Sequence, residues 1–412
     1  MTGPNPPDPP SLPRKGGEDT ASSARPSLEA KGAGGLGHPP LTFSLFHLMA
    51  WPYLERPPAA WPVAHRLFDP KRGPRLYREY LDQMALADEL GFDWVGCNEH
   101  HFTSYGLMSS PTVVGGALTQ RTQRAKIAML GSLVPLNNPV RVAEEYAMLD
   151  VMSGGRLVAG FIRGLPQEYI AYGVDPDESY ERLAEAWDLI LRAWQEPEPF
   201  GWEGKHYQFR TVSIWPRPLQ EPHPPIFISG GSSDSVRMAV ERRVGIGVAL
   251  ASAEIARAQF ESYRALARAD GWEPTRDRFF WDQAVYVAKT DAAARAAFRG
   301  PTDYFYRYLL VPTRRANELV IQGGYYHDPA DRERRLQRVR QREEVTLESE
   351  IEHGRVLCGS PDTVIEQIRH WVPYVGHGVL NFRFQVGTMP HEEVVASMRL
   401  FAAEVLPHVR GL

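Results

Sequence analysis

The chain has 412 residues, of which 43% are hydrophobic and 23% are charged, and its formal net charge is −4. This composition is typical of a globular protein with a large core, and it argues against a broad cationic surface for nucleic acid or anionic lipid. The two cysteines, Cys97 and Cys358, are too few for a disulfide framework. No apolar run reaches the ~20 residues that span a bilayer. From the charge, the cysteine count and the lack of such a run together, we expect a cytoplasmic protein that binds neither membrane nor nucleic acid.

The first segment of the chain differs from the rest in composition. Residues 1–39 are rich in proline, glycine, serine and charge, and they contain almost no large apolar side chains. Burial cannot offset the entropy of ordering such a segment, so we predict a flexible tail over 1–39 and a folded domain over 40–412.

From residue 41 onward, segments typical of strands and helices alternate. Strands are predicted at 41–51, 92–101, 126–136, 156–164, 224–231, 246–251, 279–288 and 379–386. Helices are predicted at 76–90, 111–121, 139–152, 179–195, 253–270, 361–374 and 390–404. The strand segments are apolar throughout, as in parallel sheets that are covered on both faces. About eight strand–helix pairs favour an α/β fold of the closed (β/α)8 TIM-barrel type over an open sheet.

Residues 290–352 fit this alternation poorly. They combine an aromatic run, PTDYFYRYLL, with the charged run DRERRLQRVRQREE. We predict an insertion after the seventh strand, at the mouth where barrels carry function. Its aromatic residues make it a candidate lid over a bound substrate: Tyr304, Phe305, Tyr306, Tyr325 and Tyr326.

Charged residues follow the second predicted strand, in the run Asn98-Glu99-His100-His101-Phe102. Charges at the end of a buried strand are costly unless they are paired or used, and in a barrel this end faces the active-site mouth. Adjacent strand residues point to opposite faces, so His100 and His101 cannot chelate one ion, and we expect no metal. One interpretation is a single histidine that transfers protons near neutral pH. The alternative is two structural histidines.

A second candidate site is the glycine- and hydroxyl-rich run from Ser229 to Ser235, between a strand and a helix. Backbone N–H groups at a helix N-terminus can hold a phosphate, although a simple turn explains the glycines equally well. Arg163, at the end of the fourth strand, could supply a guanidinium to that phosphate or form a surface salt bridge. Aromatic residues that could line a pocket for a flat ring cluster near the expected mouth: Trp51, Tyr53, Trp61, Phe102 and Tyr105.

Four runs, in order, resemble the bacterial luciferase-like flavin-dependent monooxygenases: NEHHFTSYGLMSSP, NNPVRVAEEYAMLDVMSGGRLVAGFIRG, PPIFISGGSSDS and CGSPDTVIEQI. The resemblance extends over about residues 41–408, is interrupted at 290–352, and leaves out the tail. It implies a (β/α)8 barrel that binds FMN, which a separate NAD(P)H:flavin reductase supplies in reduced form, and a homodimer. It also implies that O2 reacts with the reduced FMN to form a flavin C4a-(hydro)peroxide, which oxygenates an aldehyde, a ketone or an aromatic metabolite.

The resemblance also implies roles for individual residues. His100 matches the catalytic histidine beside the flavin, and Glu99 matches its neighbouring carboxylate, which we expect to orient His100. The bond between Leu130 and Gly131 falls where such barrels often carry a non-proline cis peptide under the isoalloxazine. The implied cofactor-binding residues are Leu130, Gly131, Arg163, Gly230, Gly231, Ser232 and Ser235, with the arginine and the two serines at the phosphate. The expected substrate-pocket residues are Trp51, Phe102 and Tyr105.

Three positions depart from the luciferase pattern. Ile162 stands where luciferase has a reactive cysteine, and Gly231 replaces an acidic residue. Tyr180 stands in place of a second phosphate-contacting arginine, for which Arg182 could substitute. Light emission is therefore not implied. The alternatives are an F420-dependent oxidoreductase on the same barrel, a catalytically silent flavin-binding subunit, and, more distantly, a metal-dependent hydrolase.

Overall fold

The computed structural model describes residues 39–58, 61–322, 333 and 345–412. The predicted tail lies almost entirely outside the described residues, and so do Tyr325 and Tyr326 of the predicted lid.

Eight parallel strands close into a barrel, which confirms the predicted (β/α)8 fold. Their order is β1-β2-β3-β4-β7-β8-β9-β11, and β11 pairs back onto β1. The strands of the described residues are β1 (Thr42–Phe46), β2 (Trp94–Cys97), β3 (Lys126–Leu133), β4 (Leu157–Ile162), β5 (Phe200–Glu203), β6 (Gln208–Val212), β7 (Ile226–Ser229), β8 (Gly245–Val248), β9 (Phe279–Val287), β10 (Val356–Gly359) and β11 (Val379–Arg383). Outside the barrel circuit, β5 and β6 form an antiparallel pair and β10 pairs with the end of β9.

The helices surround this barrel. They are α1 (Gly73–Glu89), α2 (Pro111–Arg121), α3 (Pro139–Ser153), α4 (Pro166–Ala171), α5 (Ser179–Gln195), α6 (Ser233–Glu241), α7 (Ala253–Ala269), α8 (Asp291–Tyr304), α9 (Val311–Gln322), α10 (Leu347–Glu352), α11 (Pro361–Val375), α12 (His391–Leu400) and α13 (Leu406–Val409). The sequence explains their starting points. At α3, for example, Pro139 takes the first helical position and the Asn138 side chain accepts hydrogen bonds from two N–H groups of the first turn.

Several elements differ from the prediction at the carboxyl ends of the strands. The segment predicted as a strand at 41–51 leaves the sheet after Phe46, and the segment at 92–101 leaves it after Cys97. Apolar character continues past both strands because the loops that follow are themselves buried. The β5–β6 pair, β10 and α4 were not predicted, since these elements are short and β5 and β6 are largely exposed.

The region after the seventh barrel strand, β9, contains helical elements. Helix α8 continues into a π-helical turn at Phe305–Leu309, which precedes α9. The hydroxyl of Tyr304 accepts a hydrogen bond from Leu54 N at 2.7 Å and donates to Trp51 O at 3.3 Å. This region therefore contacts the loop that follows β1, at the carboxyl end of the barrel. Its role as an inserted lid remains a prediction.

Candidate active site

The Glu99 carboxylate lies in the loop after β2 and is almost fully buried. One of its oxygens accepts a hydrogen bond from His101 Nε2 at 2.8 Å, and the other accepts from the backbone N–H of Leu133 at 2.9 Å. The side-chain amide of Asn137 donates to it at 3.2 Å. The expected contact between Glu99 and His100 is therefore wrong. Because the backbone turns after β2, the Glu99 carboxylate contacts His101 and the end of β3 instead.

The carboxylate partner of His100 is Glu168, on α4. The Nδ1–H group of His100 donates to Glu168 Oε1 at 2.9 Å, and the two side chains are 11% and 1% exposed. Glu168 also accepts hydrogen bonds from the backbone N–H groups of Leu165, at 2.8 Å, and His101, at 3.3 Å. Three donors thus hold this buried carboxylate in one position, and it holds the His100 ring in turn.

Sequence reasoning missed Glu168 because it lies 68 residues from His100 and on a helix of only six residues. A signal for the helix was present. Pro166 follows Leu165, and a glutamate three positions after the N-cap residue is typical of a helix start. That signal predicts a helix start but cannot predict that its carboxylate reaches a histidine on another loop.

The two histidines differ in what their second nitrogen contacts. The Tyr172 hydroxyl donates to His101 Nδ1 at 3.0 Å, so both nitrogens of His101 have fixed partners. His100 Nε2 accepts from the Asn98 side-chain amide at 2.6 Å, while the buried Asn98 Oδ1 has no hydrogen-bond partner among the described residues. His100, unlike His101, therefore has a polar atom without a partner beside its ring, namely Asn98 Oδ1.

A third histidine, His47, follows β1 and is buried. Its Nε2–H group donates to Gln83 Oε1 at 2.9 Å, and its Nδ1 accepts from the backbone N–H of Met49 at 2.9 Å. Burial lowers the pKa of His47 to about 4. This ring is therefore neutral at physiological pH, with both nitrogens committed to the surrounding structure.

The peptide bond between Leu130 and Gly131 is cis, as expected. A Cβ atom at Gly131 would lie 2.3 Å from the carbonyl oxygen of Gly160, so only glycine allows β3 and β4 to approach this closely. The pairing register of the two strands shifts between Met129 and Ser132. The two glycines therefore let the backbones of β3 and β4 pack directly against each other near the carboxyl ends of these strands.

Hydroxyl groups and one guanidinium converge beyond β4 and β7. The Arg163 guanidinium lies 4.2 Å from the centre of the Tyr180 ring and donates to Ser179 Oγ at 3.3 Å. The Tyr180 hydroxyl bonds to Ser232 Oγ and lies 3.4 Å from Ser235 Oγ, and the two serine oxygens are 2.9 Å apart. Ser232 is the N-cap residue of α6. We call these five residues the hydroxyl–arginine cluster.

The charge of this cluster suits an anion. The Arg163 guanidinium contacts Ser179 and Tyr180 and forms no salt bridge with a carboxylate among the described residues, so its expected alternative role in a surface ion pair is not found. Arg182, the suggested substitute for a second phosphate-binding arginine, instead pairs with Glu178 at 2.8 Å. Tyr180 belongs to the cluster, and the first turn of α6 adds backbone N–H groups, of which that of Ser235 donates to Ser232 Oγ. Gly230 and Gly231 form the turn that leads from β7 into this helix.

The expected pocket residues occupy different surroundings. Tyr105 is buried, with its ring centre 4.5 Å from that of His100, and burial near Glu168 raises its pKa well above the usual value. Phe102 is 49% exposed and stacks on Tyr172 at 6.3 Å. Trp51 is buried against Tyr53 and Phe68, with ring centres 5.0 and 4.6 Å away, and joins the loop of Ser104 through a backbone hydrogen bond. Tyr105 and Phe102 thus flank the two histidines, whereas Trp51 supports the loops.

The described residues contain neither a metal-binding cluster nor a helix that could span a membrane. No group of three or more histidine, cysteine, aspartate or glutamate side chains in this part of the chain could hold a metal ion. Every described helix is too short or too polar to cross a bilayer.

Comparison with known proteins identifies the family. The family model for luciferase-like monooxygenases matches residues 62–378. The oxygenase component of a flavin-dependent trigonelline monooxygenase from Acinetobacter baylyi is 25% identical over 349 residues, which is 83% of this chain and 92% of that protein. An uncharacterized protein of Sinorhizobium fredii, y4wF, is 36% identical over 183 residues, and the match spans 43% of this chain and only 53% of that protein.

Solved structures share the fold over most of the chain. The monooxygenase RslO1 from Streptomyces bottropensis has a TM-score of 0.69 at 28% identity, and covers 89% of this chain and 99% of its own. The oxygenating constituent of 3,6-diketocamphane monooxygenase from Pseudomonas putida, solved with FMN, has a TM-score of 0.70 at 22% identity and covers 89% and 98%. An F420-dependent secondary alcohol dehydrogenase has a TM-score of 0.61 at 16% identity and covers 90% and 99%. The chain belongs to the luciferase-like monooxygenase family.

Proposed function

We propose that this protein is the oxygenase component of a two-component monooxygenase, which uses reduced FMN and O2 to oxygenate an organic substrate. The observation that carries the proposal is the position of the hydroxyl–arginine cluster and the His100–Glu168 pair at the carboxyl ends of strands of one barrel. The first is an anion site and the second an acid–base site. The matched relatives named as an oxygenase component and an oxygenating constituent support a separate flavin reductase as partner.

The side chains at the site fit the chemistry of FMN. Its phosphate requires a cation with directed donors, and Arg163, the serine hydroxyls and the N-terminus of α6 provide them. Its ring system would lie beside the cis peptide between Leu130 and Gly131, the position that the family resemblance implies. When bound in reduced form, FMN supplies the electrons that activate O2 for transfer of one oxygen atom.

His100 is proposed as the acid–base residue, with its proton chemistry at Nε2. Its Nδ1–H group is fixed on Glu168, so Nε2 is the nitrogen that can gain or lose a proton. The Glu168 carboxylate stabilises the imidazolium that forms, and it keeps the His100 ring in one orientation. When Nε2 is protonated, rotation of the Asn98 amide would let its unpartnered Oδ1 accept that proton's hydrogen bond.

Glu99 is proposed as a positioning residue for the loop after β2, and not, as expected, for the ring of His100. It links His101 to Leu133 N–H, which lies two residues beyond Gly131. Glu99 therefore connects the loop that carries His100 to the strand that carries the cis peptide, and it does not contact the acid–base histidine.

A comparison of FMN with riboflavin, which lacks the phosphate, tests the anion site. Wild-type protein should bind FMN more tightly, and Arg163→Ala should lower FMN affinity about 10- to 100-fold, as expected for a charge-assisted hydrogen bond of about 1.5–3 kcal/mol. Riboflavin affinity should not change. Arg182→Ala is the matched control, since that arginine pairs with Glu178. Equal binding of FMN and riboflavin by the wild type would refute the anion site.

The proposed assembly is a homodimer through α2 and α3. The proposal starts from large apolar side chains that are exposed on these two helices: Val113 is 73% exposed, Met148 47%, Val151 43% and Met152 48%. A second copy would remove this area from water.

A further inference from the structure

Four polar residues lie together on the inner face of the barrel, on three adjacent strands. Ser44 of β1 is directly paired with Asn381 of β11, and Asn381 is directly paired with Asp282 of β9. Paired residues on neighbouring strands point to the same face, and Arg383, two positions after Asn381, points there as well. We call these residues the inner polar row.

Contacts of the intervening residues show that this face is the inner one. Phe382, between Asn381 and Arg383, packs outward on Phe401 at 5.5 Å. Trp281, next to Asp282, packs on Trp371 of α11 at 6.1 Å. Alternate strand residues face opposite ways, so the inner polar row faces the barrel interior, with Arg383 at the carboxyl end of β11.

Arg383 is 2% exposed, yet much of its hydrogen-bonding capacity is unused. Its Nε–H group donates to both oxygens of Asp282, at 2.9 and 3.0 Å, and these are the hydrogen bonds that it makes to described residues. Phe305 of the π-helical turn covers the guanidinium, with its ring centre 5.3 Å from Cζ. The two terminal nitrogens, which form the forked edge of the guanidinium, therefore have no partner among the described residues.

Other polar atoms in the row are also unsatisfied. Ser44 Oγ and Asn381 Oδ1 are buried without a hydrogen-bond partner in the described part of the chain. Asp282, in contrast, already receives Arg383 Nε–H, with the Asn381 amide at 3.5 Å. Buried polar groups in a folded protein are normally satisfied, so this set, which runs from the barrel interior to Arg383 at the carboxyl end of β11, favours a polar ligand.

We propose that the forked edge of Arg383 binds a carboxylate of the substrate, so that this enzyme acts on an organic acid. The fork has the geometry for two parallel N–H···O bonds to a carboxylate, and Asp282 fixes its orientation through the remaining nitrogen. Adjacent strands lie about 4.8 Å apart, so β11 and β2, separated only by β1, place Arg383 about 10 Å from the strand that leads to Asn98 and His100. A substrate of moderate size spans that distance. The substrate class rests on the proposed function, but the carboxylate subsite itself does not.

Matched acids and neutral analogues test the subsite. The probes are benzoate and octanoate, compared with benzamide and methyl octanoate, and binding is followed by tryptophan fluorescence and by thermal shift. The wild type should bind each acid at least tenfold more tightly than its neutral analogue. Equal affinity for the acids and the neutral analogues would overturn the proposal without any variant.

A double substitution assigns the preference to Arg383. Asp282→Asn with Arg383→Gln avoids leaving one buried charge without its partner, and it should abolish the preference for acids. The control, Asp93→Asn with Arg410→Gln, removes an aspartate–arginine pair with a 3.0 Å contact at the other end of the barrel, and it should keep the preference. A folded Asp282/Arg383 variant that still prefers acids would overturn the proposal. FMN titration of the wild type separates the carboxylate subsite from the proposed function. If the wild type prefers acids but does not bind FMN, only the proposed function is refuted.

Discussion

Replacement of Glu168 by alanine should uncouple oxygen consumption from product formation. At 2.9 Å, a full charge pair between His100 and Glu168 is worth about 6 kcal/mol before desolvation at an effective dielectric of ~20. The net value of a hydrogen bond to a charged group is about 1.5–3 kcal/mol, so oxygenation should fall roughly 10- to 100-fold. Glu168→Gln keeps a neutral acceptor at the same place and should lose less.

The assay follows O2 uptake and H2O2 release with reduced FMN and a substrate found by screening. The account predicts a lower fraction of product and a higher fraction of H2O2 in Glu168→Ala, with unchanged FMN affinity, as also expected for His100→Ala. A purely structural role would change stability but not this ratio. Glu99→Gln is the matched comparison, since Glu99 contacts His101. If Glu99→Gln uncouples the reaction more strongly than Glu168→Ala, the assignment of the two carboxylates is wrong.

Two further predictions concern stability and assembly. Burial lowers the pKa of His47 to about 4 and that of His377 to about 3. Unfolding lets each histidine take up a proton below about pH 6.5. The free energy of unfolding therefore has its full value above that pH and falls on acidification, by up to about 1.4 kcal/mol per pH unit for each ring. Because neither His377 nitrogen has a partner among the described residues, His377→Phe should reduce this loss in urea unfolding at pH 7 and pH 5, and an unchanged loss would contradict the explanation. For assembly, Met148→Glu with Val151→Glu should convert a dimer to a monomer in light scattering; a wild type that is monomeric at micromolar concentration would contradict the proposed interface.

The barrel could be predicted because its signals are local. Apolar strands alternate with amphipathic helices, and α5 was predicted with the bounds that it has, 179–195. Strand ends were harder: β1 and β2 are followed by loops that are also buried, so apolar character does not mark where pairing stops.

The site could be predicted only in part, because its pairs form between distant segments. The family resemblance implied that Glu99 orients His100, but the backbone turns between Cys97 and Phe102, where Phe102 has a φ of 55°, and Glu99 contacts His101 instead. The partner of His100 comes from α4, a six-residue helix whose start signal cannot predict which side chain its glutamate contacts. Arg383 lies within an apolar strand, where its sequence neighbours give no sign of an inward-facing ion pair.

The central claim is tested most directly by anaerobic calorimetric titration of the full chain with reduced FMN, with reduced F420 as the parallel titrant. The account predicts saturable binding of one reduced FMN per chain and clearly weaker binding of F420. Binding of F420 alone, or of neither coenzyme, would contradict it.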